Sequence, residues 1–167
     1  MSYTVVIVPY DHQWPNLFYQ VGSRLRNVLG ATALRIDHIG STAVRGLDAK
    51  PIIDVQISVV AFEPLAAYRI PLERLGYLFR ADNPERTKRY FREAPGQRRT
   101  HIHVRRAGSW AEQFALLFRD YLRAHPDDAR AYATLKYRLA EQYRDARHAY
   151  SDAKTPFIYN GPKNLHS

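Results

Sequence analysis

The chain predicts an α+β fold, and three observations predict it. Strand candidates stand at residues 34–39, 52–60, 77–80, 88–93 and 100–105. Helix-period apolar patterns group in the C-terminal part, after residue 109. No repeat, linker or low-complexity tract divides the two, so residues 1–167 read as a single domain. With 46% hydrophobic residues, the chain has material for a buried core rather than a disordered tail.

Taken in order, residues 3–8 are β-branched and read as a short strand or extended arm. Trp14-Pro15 opens a helix, because proline suits the first helical position. Leu17, Phe18, Val21, Leu25, Val28 and Leu29 recur at helical spacing, and Gly30 is the expected C-cap. Residues 34–39 form a strand, and residues 52–60 form a more apolar one, as in a strand buried on both faces. Residues 62–75 are helical in period but carry Pro71, so a kink or two short helices are expected before Gly76. Residues 77–80 read as a strand and 81–87 as a loop. Residues 88–93 and 100–105 pair as an antiparallel hairpin around Pro95-Gly96. Ser109 with Glu112 is a capping-box start, followed by one apolar face of Trp110, Phe114, Leu117, Tyr121 and Leu122. Pro126 begins the next helix, with Tyr132, Leu135, Leu139 and Tyr143 on its buried side. A last helix runs from residue 151 to about Tyr159, where Asn160-Gly161-Pro162 stops it.

Composition narrows the function. There is no cysteine, which excludes disulfides, thiolate nucleophiles and Cys-ligated zinc. No apolar run is long enough to span a membrane, and no signal-peptide pattern opens the chain, so a cytoplasmic location with no membrane partner is expected. The net charge of +9, mostly arginine, points to a nucleotide or another small anionic ligand. Nucleic acid ranks low as a partner, because no recognition motif accompanies the charge. No Walker, GxGxxG or HExxH pattern is present.

The chemistry gathers in two stretches. In His38-Ile39-Gly40-Ser41-Thr42, a Gly-Ser turn after a strand can offer backbone N–H groups to a phosphate. Gly40, Ser41 and Thr42 are therefore the expected phosphate-binding residues, with Lys50 as a point charge at the mouth of the turn. Asp54 lies inside the apolar strand Ile-Ile-Asp-Val-Gln-Ile, where an acid is costly unless paired or bound to a cation. Gln56 occupies the same strand face, where a second acid would let two metal ions be bridged. His101 and His103 share a face of their own strand. They complete a metal or acid–base set with Asp54 if the hairpin pairs beside it. His38 is a third histidine able to converge, and Lys154 is a candidate to close the site from the C-terminal helix. Aromatic residues at 10–18 and on the later helices are read as core rather than as base-stacking platforms.

These residues carry a resemblance. Val8-Pro9-Tyr10-Asp11, Trp14-Pro15, the block from His38 to Leu47, Lys50-Pro51-Ile52-Ile53-Asp54, His101-Ile102-His103-Val104, Phe118-Arg119-Asp120-Tyr121-Leu122 and Ala153-Lys154 closely resemble the GrpB family. The resemblance covers nearly the whole chain. It implies a nucleotidyltransferase-like fold, a small mixed sheet with helices packed against it and a helical C-terminal part. It also implies a site at Gly40, Ser41, Lys50, Asp54, His101 and His103. Members usually carry proline where Arg45 stands, and some are fused to dephospho-coenzyme A kinase. The wider superfamily moves nucleotidyl groups from nucleoside triphosphates with Mg²⁺ or Mn²⁺ held by two or three acids. Here one acid is in place. The expectation is therefore a metal-dependent nucleotidyltransferase, or alternatively a non-catalytic nucleotide- or anion-binding module of the same fold.

Overall fold

A computed structural model describes residues 5–160. The amphipathic N-terminal pattern becomes helix α1 (Trp14–Leu29), which ends at Gly30 with φ +52. Strands β1 (Arg35–Ile39) and β2 (Ile53–Val59) follow, joined through a 3-10 turn at Ser41–Ala43. Helix α2 (Ala66–Arg74) and strands β3 (Leu78–Phe79), β4 (Arg89–Arg92) and β5 (Thr100–Arg106) come next. Helices α3 (Trp110–Ala124), α4 (Pro126–Gln142) and α5 (Arg147–Asn160) complete the described chain. The expected stop at Gly161-Pro162 lies outside the described residues.

The strands form one mixed sheet in the order β1-β2-β5-β4-β3. β1 is antiparallel to β2, β2 is parallel to β5, and the β4–β5 hairpin is antiparallel, as its turn residues predict. The period-2 pleat divides β2 into two faces. Ile53, Val55, Ile57 and Val59 join Ile102 and Val104 of β5 in a core under α1 and α2. Asp54, Gln56 and Ser58 point the other way, as do their register partners His101, His103 and Arg105. A second core joins Val44 and Leu47 to Leu122, Tyr132, Leu135, Leu139, Tyr150 and Phe157 of the last three helices. An extended arm ties both ends together: Val8 bridges Ala49, and the Val5 N–H donates to the Arg144 carbonyl at 2.7 Å.

Two element-level expectations change. Of the two outcomes expected at Pro71, two short helices do not form: one helix, α2, runs through it. The missing N–H costs one bond to the Ala67 carbonyl. Tyr68 and Leu72 on either side are fully buried in the sheet core and hold the helix in register. The expected apolar face of α3 is also rearranged. Leu122 is buried, but Trp110 and Leu117 are 67% and 65% exposed and Tyr121 is exposed too. α3 lies on the polar face of the sheet, so it turns Glu112 inward instead. The Ser109 Oγ accepts the Glu112 N–H, and the Glu112 carboxylate returns to the Gly108 N–H at 2.8 Å.

Candidate functional site

The turn after β1 brings backbone to the acid on β2. Gly40 has φ +74, and a Cβ there would sit 2.8 Å from Asp54 Oδ2. Glycine is required twice over, by the dihedral and by the close approach. Parallel pairing places Asp54 opposite His101 and Gln56 opposite His103. His103 Nε2 lies 3.0 Å from Asp54 Oδ1, and His101 Nδ1 lies 3.6 Å from the same oxygen. The sequence-predicted trio is thus brought together, with both histidines on Oδ1 and Oδ2 against the Gly40 turn.

The electrostatics follow from burial and partners. Burial alone raises the Asp54 carboxyl, but hydrogen bonds from His101 and His103 outweigh it and hold the group well below the usual carboxylate range. Burial, then the Lys88 ammonium, pushes His103 down to about 3. His103 is therefore neutral at pH 7, and it steadies Asp54 as a hydrogen-bond donor rather than as a cation. Its other nitrogen, Nδ1, faces Lys88 Nζ at 3.0 Å, and Lys88 pairs with Glu85. Both ring nitrogens of His103 are engaged. His101 Nε2, by contrast, is buried with no hydrogen-bond partner.

Gln56 is not open to a ligand. Its Oε1 accepts from Arg105 at 2.8 Å, and its Nε2 donates to the Glu112 carbonyl. Where a second acid would serve a second metal, this chain has a closed amide–guanidinium pair. Among the described residues, no group of three or more His, Cys, Asp or Glu side chains is arranged to hold a metal ion. The donor set suits one hard cation that arrives with its own phosphate oxygens and takes Asp54 Oδ2 as its protein ligand. It does not suit a metal pair.

His38 does not converge. It pairs with Val55, so it points into the sheet core and stacks on Phe18 at 4.8 Å. The Thr42 hydroxyl donates to the Ile52 carbonyl at 3.0 Å, so the 2.9 Å contact from His38 Nε2 is a donation to Thr42. The Thr42 side chain thus braces the turn, and burial pushes His38 down to about 4.

Asp54 opens into a cleft of about 720 Å³. Ser41 and Lys50 line it on the sheet side, and Lys136, Tyr150 and Lys154 face them from α4 and α5. Lys50 and Lys154 both lie over the Tyr150 ring, at 4.9 and 4.7 Å from its centre. Lys136 is 2% exposed, its Nζ has no hydrogen-bond partner, and burial holds its pKa well below the ordinary value. Burial and then Lys50 bring Lys154 down to about 8. Lysines desolvated in this way along a cleft suit an anion that carries several charges, because such a ligand favours their charged form. Sequence reasoning missed Lys136, Tyr150 and Lys88. A signal for Lys136 was present: it falls four residues after Tyr132 and three before Leu139, inside the apolar stripe of α4.

The comparisons bear on family and fold. The family model for "GrpB protein" matches residues 4–162. The UPF0157 protein YqkA of Bacillus subtilis is 37% identical over 160 residues, which is 96% of this chain and 47% of YqkA. A dephospho-CoA kinase of Mycobacterium tuberculosis is 34% identical over 177 residues, covering 91% of this chain and 44% of the kinase. The chain thus spans about half the length of these relatives. The crystal structure of GrpB from Enterococcus faecalis superposes with a TM-score of 0.83 at 30% identity, covering 97% of this chain and 100% of that one. Cid1 poly(U) polymerase bound to MgATP gives a TM-score of 0.57 at 11% identity, over 81% of this chain and 44% of Cid1. That likeness speaks for the fold alone, and the fold is nucleotidyltransferase-like. The expected architecture and the expected family meet in one conclusion: this chain belongs to the GrpB family.

Proposed function

We propose that the cleft binds a nucleoside triphosphate and transfers its nucleotidyl group to a hydroxyl or amine acceptor. The observation that carries this reading is an ionised Asp54 held against the Gly40 turn, facing inward-pointing lysines of α4 and α5. Gly40 and Ser41 offer backbone N–H groups to the phosphates, with the N–H of Thr42 beside them. Lys50, Lys136 and Lys154 offset charge on the departing end. A divalent cation, Mg²⁺ or Mn²⁺, would be held by Asp54 Oδ2 and the phosphates, and would supply charge neutralisation there.

In the transfer, the acceptor atom forms a bond to the α-phosphorus. The α–β bridging P–O bond breaks, and pyrophosphate leaves with the electron pair. The acceptor's proton passes to solvent in the open cleft, because His101 Nε2 is buried. His103 cannot take it, because Lys88 and Asp54 occupy both its nitrogens. His103 is a positioning residue that keeps Asp54 ionised and oriented.

A second reading has its own observation. The closed Gln56–Arg105 pair leaves one carboxylate, as expected of a non-catalytic nucleotide- or anion-binding module. Calorimetric titration of the four nucleoside triphosphates, with and without Mg²⁺ or Mn²⁺, separates the two. The transfer reading expects metal-dependent binding that Asp54→Ala weakens by about tenfold or more, the scale of one lost charged ligand. Metal-independent binding that survives Asp54→Ala supports the module. A chain that binds no triphosphate at all overturns the transfer reading and leaves the module with a different anionic ligand.

A further inference from the structure

A second cavity, of about 340 Å³, meets the basic cleft at Asp54. Ser41, Asp54, His103 and Lys154 line both. The second cavity is otherwise different in character. Trp110, Phe114 and Tyr159 form its aromatic side, and Arg105 and Glu85 stand in its wall.

The aromatic side is a stack. Trp110 lies 4.9 Å from Phe114, and Phe114 lies 5.0 Å from Tyr159, with interplanar angles of 19° and 22°. Trp110 and Tyr159 are nearly parallel, at 7°. Trp110 is 67% exposed and Tyr159 56% exposed, so ring area stands open beside the cavity. Exposed parallel rings next to an ionised carboxylate form a stacking platform rather than core.

The wall adds polar recognition. Arg105 is 9% exposed and its Nε has no hydrogen-bond partner. An unpaired buried guanidinium donor is costly unless a ligand meets it. The Glu85 carboxylate stands in the same wall, met by Thr87 and Lys88, with lone pairs left to accept from a ligand. A donor and an acceptor at the edge of a ring platform suit a heteroaromatic ring that itself carries both, and a nucleobase does.

We propose that this second cavity is the acceptor site, and that the acceptor carries a nucleobase stacked on Trp110. The proposal rests on the transfer reading above and deepens it. Asp54 is then the shared wall between a polyphosphate on the lysine side and a nucleoside hydroxyl on the tryptophan side.

The chain reports on this site by itself. It has two tryptophans, and Trp14 is buried in the sheet core, so a change in emission on ligand addition reads Trp110. Adenosine, which has no phosphate, is titrated into the whole protein alone and with saturating tripolyphosphate. The expected result is saturable quenching in both. Calorimetry with Trp110→Leu should show adenosine affinity reduced about tenfold, the scale of one lost base–aromatic stack, while Trp110→Phe restores most of it. Tripolyphosphate binding should be unchanged in both variants. Absence of quenching, or competition between adenosine and tripolyphosphate, overturns the proposal. A parallel titration with a short oligoadenylate identifies the source of the nucleobase: tighter binding than adenosine means a strand end, and equal binding means a free nucleoside. Failure of the transfer reading itself looks different, because tripolyphosphate and the triphosphates then fail to bind while quenching by adenosine is left untouched.

Discussion

His38 shows how a residue near a site can serve the fold instead. It sits next to the Gly-Ser turn in sequence, yet antiparallel pairing with Val55 turns it away from Asp54. Buried against Phe18, it is held neutral with a pKa of about 4, below its unfolded value near 6.5. Below pH 6.5 the unfolded chain takes up a proton that the folded chain does not. The stability His38 allows is therefore complete above pH 6.5 and is lost as pH falls toward 4, at about 1.4 kcal/mol per pH unit. His103, held down to about 3, adds a loss of the same sign. Urea denaturation between pH 6.5 and 4.5 should show this slope, and His38→Gln should remove the His38 share of it. An unchanged slope in the variant would mean that His38 is charged in the folded protein.

At the scale of elements, α3 depends on its first turn. Ser109 accepts the Glu112 N–H, and Glu112 returns to the Gly108 N–H, so two otherwise orphaned donors are met. Ser109→Ala should lower the unfolding free energy by about 1 kcal/mol, read as a shifted urea midpoint with an unchanged slope. This start was legible in sequence because capping is local: three residues suffice to state it. So was the run from Gly40 to Asp54, where turn and strand follow one another. The meeting of His101 and His103 with Asp54 was legible only as a condition. It depends on parallel pairing between β2 and β5, which lie 40 residues and two strands apart in the chain, and no local propensity specifies that. The face of α3 was misread for a related reason. Periodicity marks an apolar stripe but not the neighbour, and here the neighbour is a polar sheet face that prefers Glu112 to Trp110.

At the scale of the molecule, two cores meet at a basic cleft. One packs α1 and α2 on the sheet, and the other packs the last three helices together. Lys136 belongs to α4 and lines the cleft; its Nζ has no hydrogen-bond partner but lies 4.8 Å from the centre of the Tyr132 ring. That ring offsets part of the cost of burying the ammonium, and a ligand would offset more. Lys136→Met should therefore raise the unfolding free energy of the ligand-free chain by about 1 kcal/mol. It should also weaken triphosphate binding. Thermal denaturation and calorimetry on one preparation test both halves; a variant that loses stability places Lys136 in a structural bond instead. A charged residue in an apolar stripe is easily passed over in sequence, because periodic reading attends to the residues that fit the stripe.

The N-terminal arm has a practical consequence. Val8 exchanges both of its backbone hydrogen bonds with Ala49, the neighbour of Lys50, while Val5 reaches the end of α4. A few residues of extended chain therefore clip the loop that bears a ligand-facing lysine to the helices that form the opposite wall. Where an expression vector starts the chain, and whether it fuses a tag directly to this arm, then becomes a variable of activity measurements. Preparations that differ only ahead of Pro9 are best compared before any difference in binding is ascribed to the cleft.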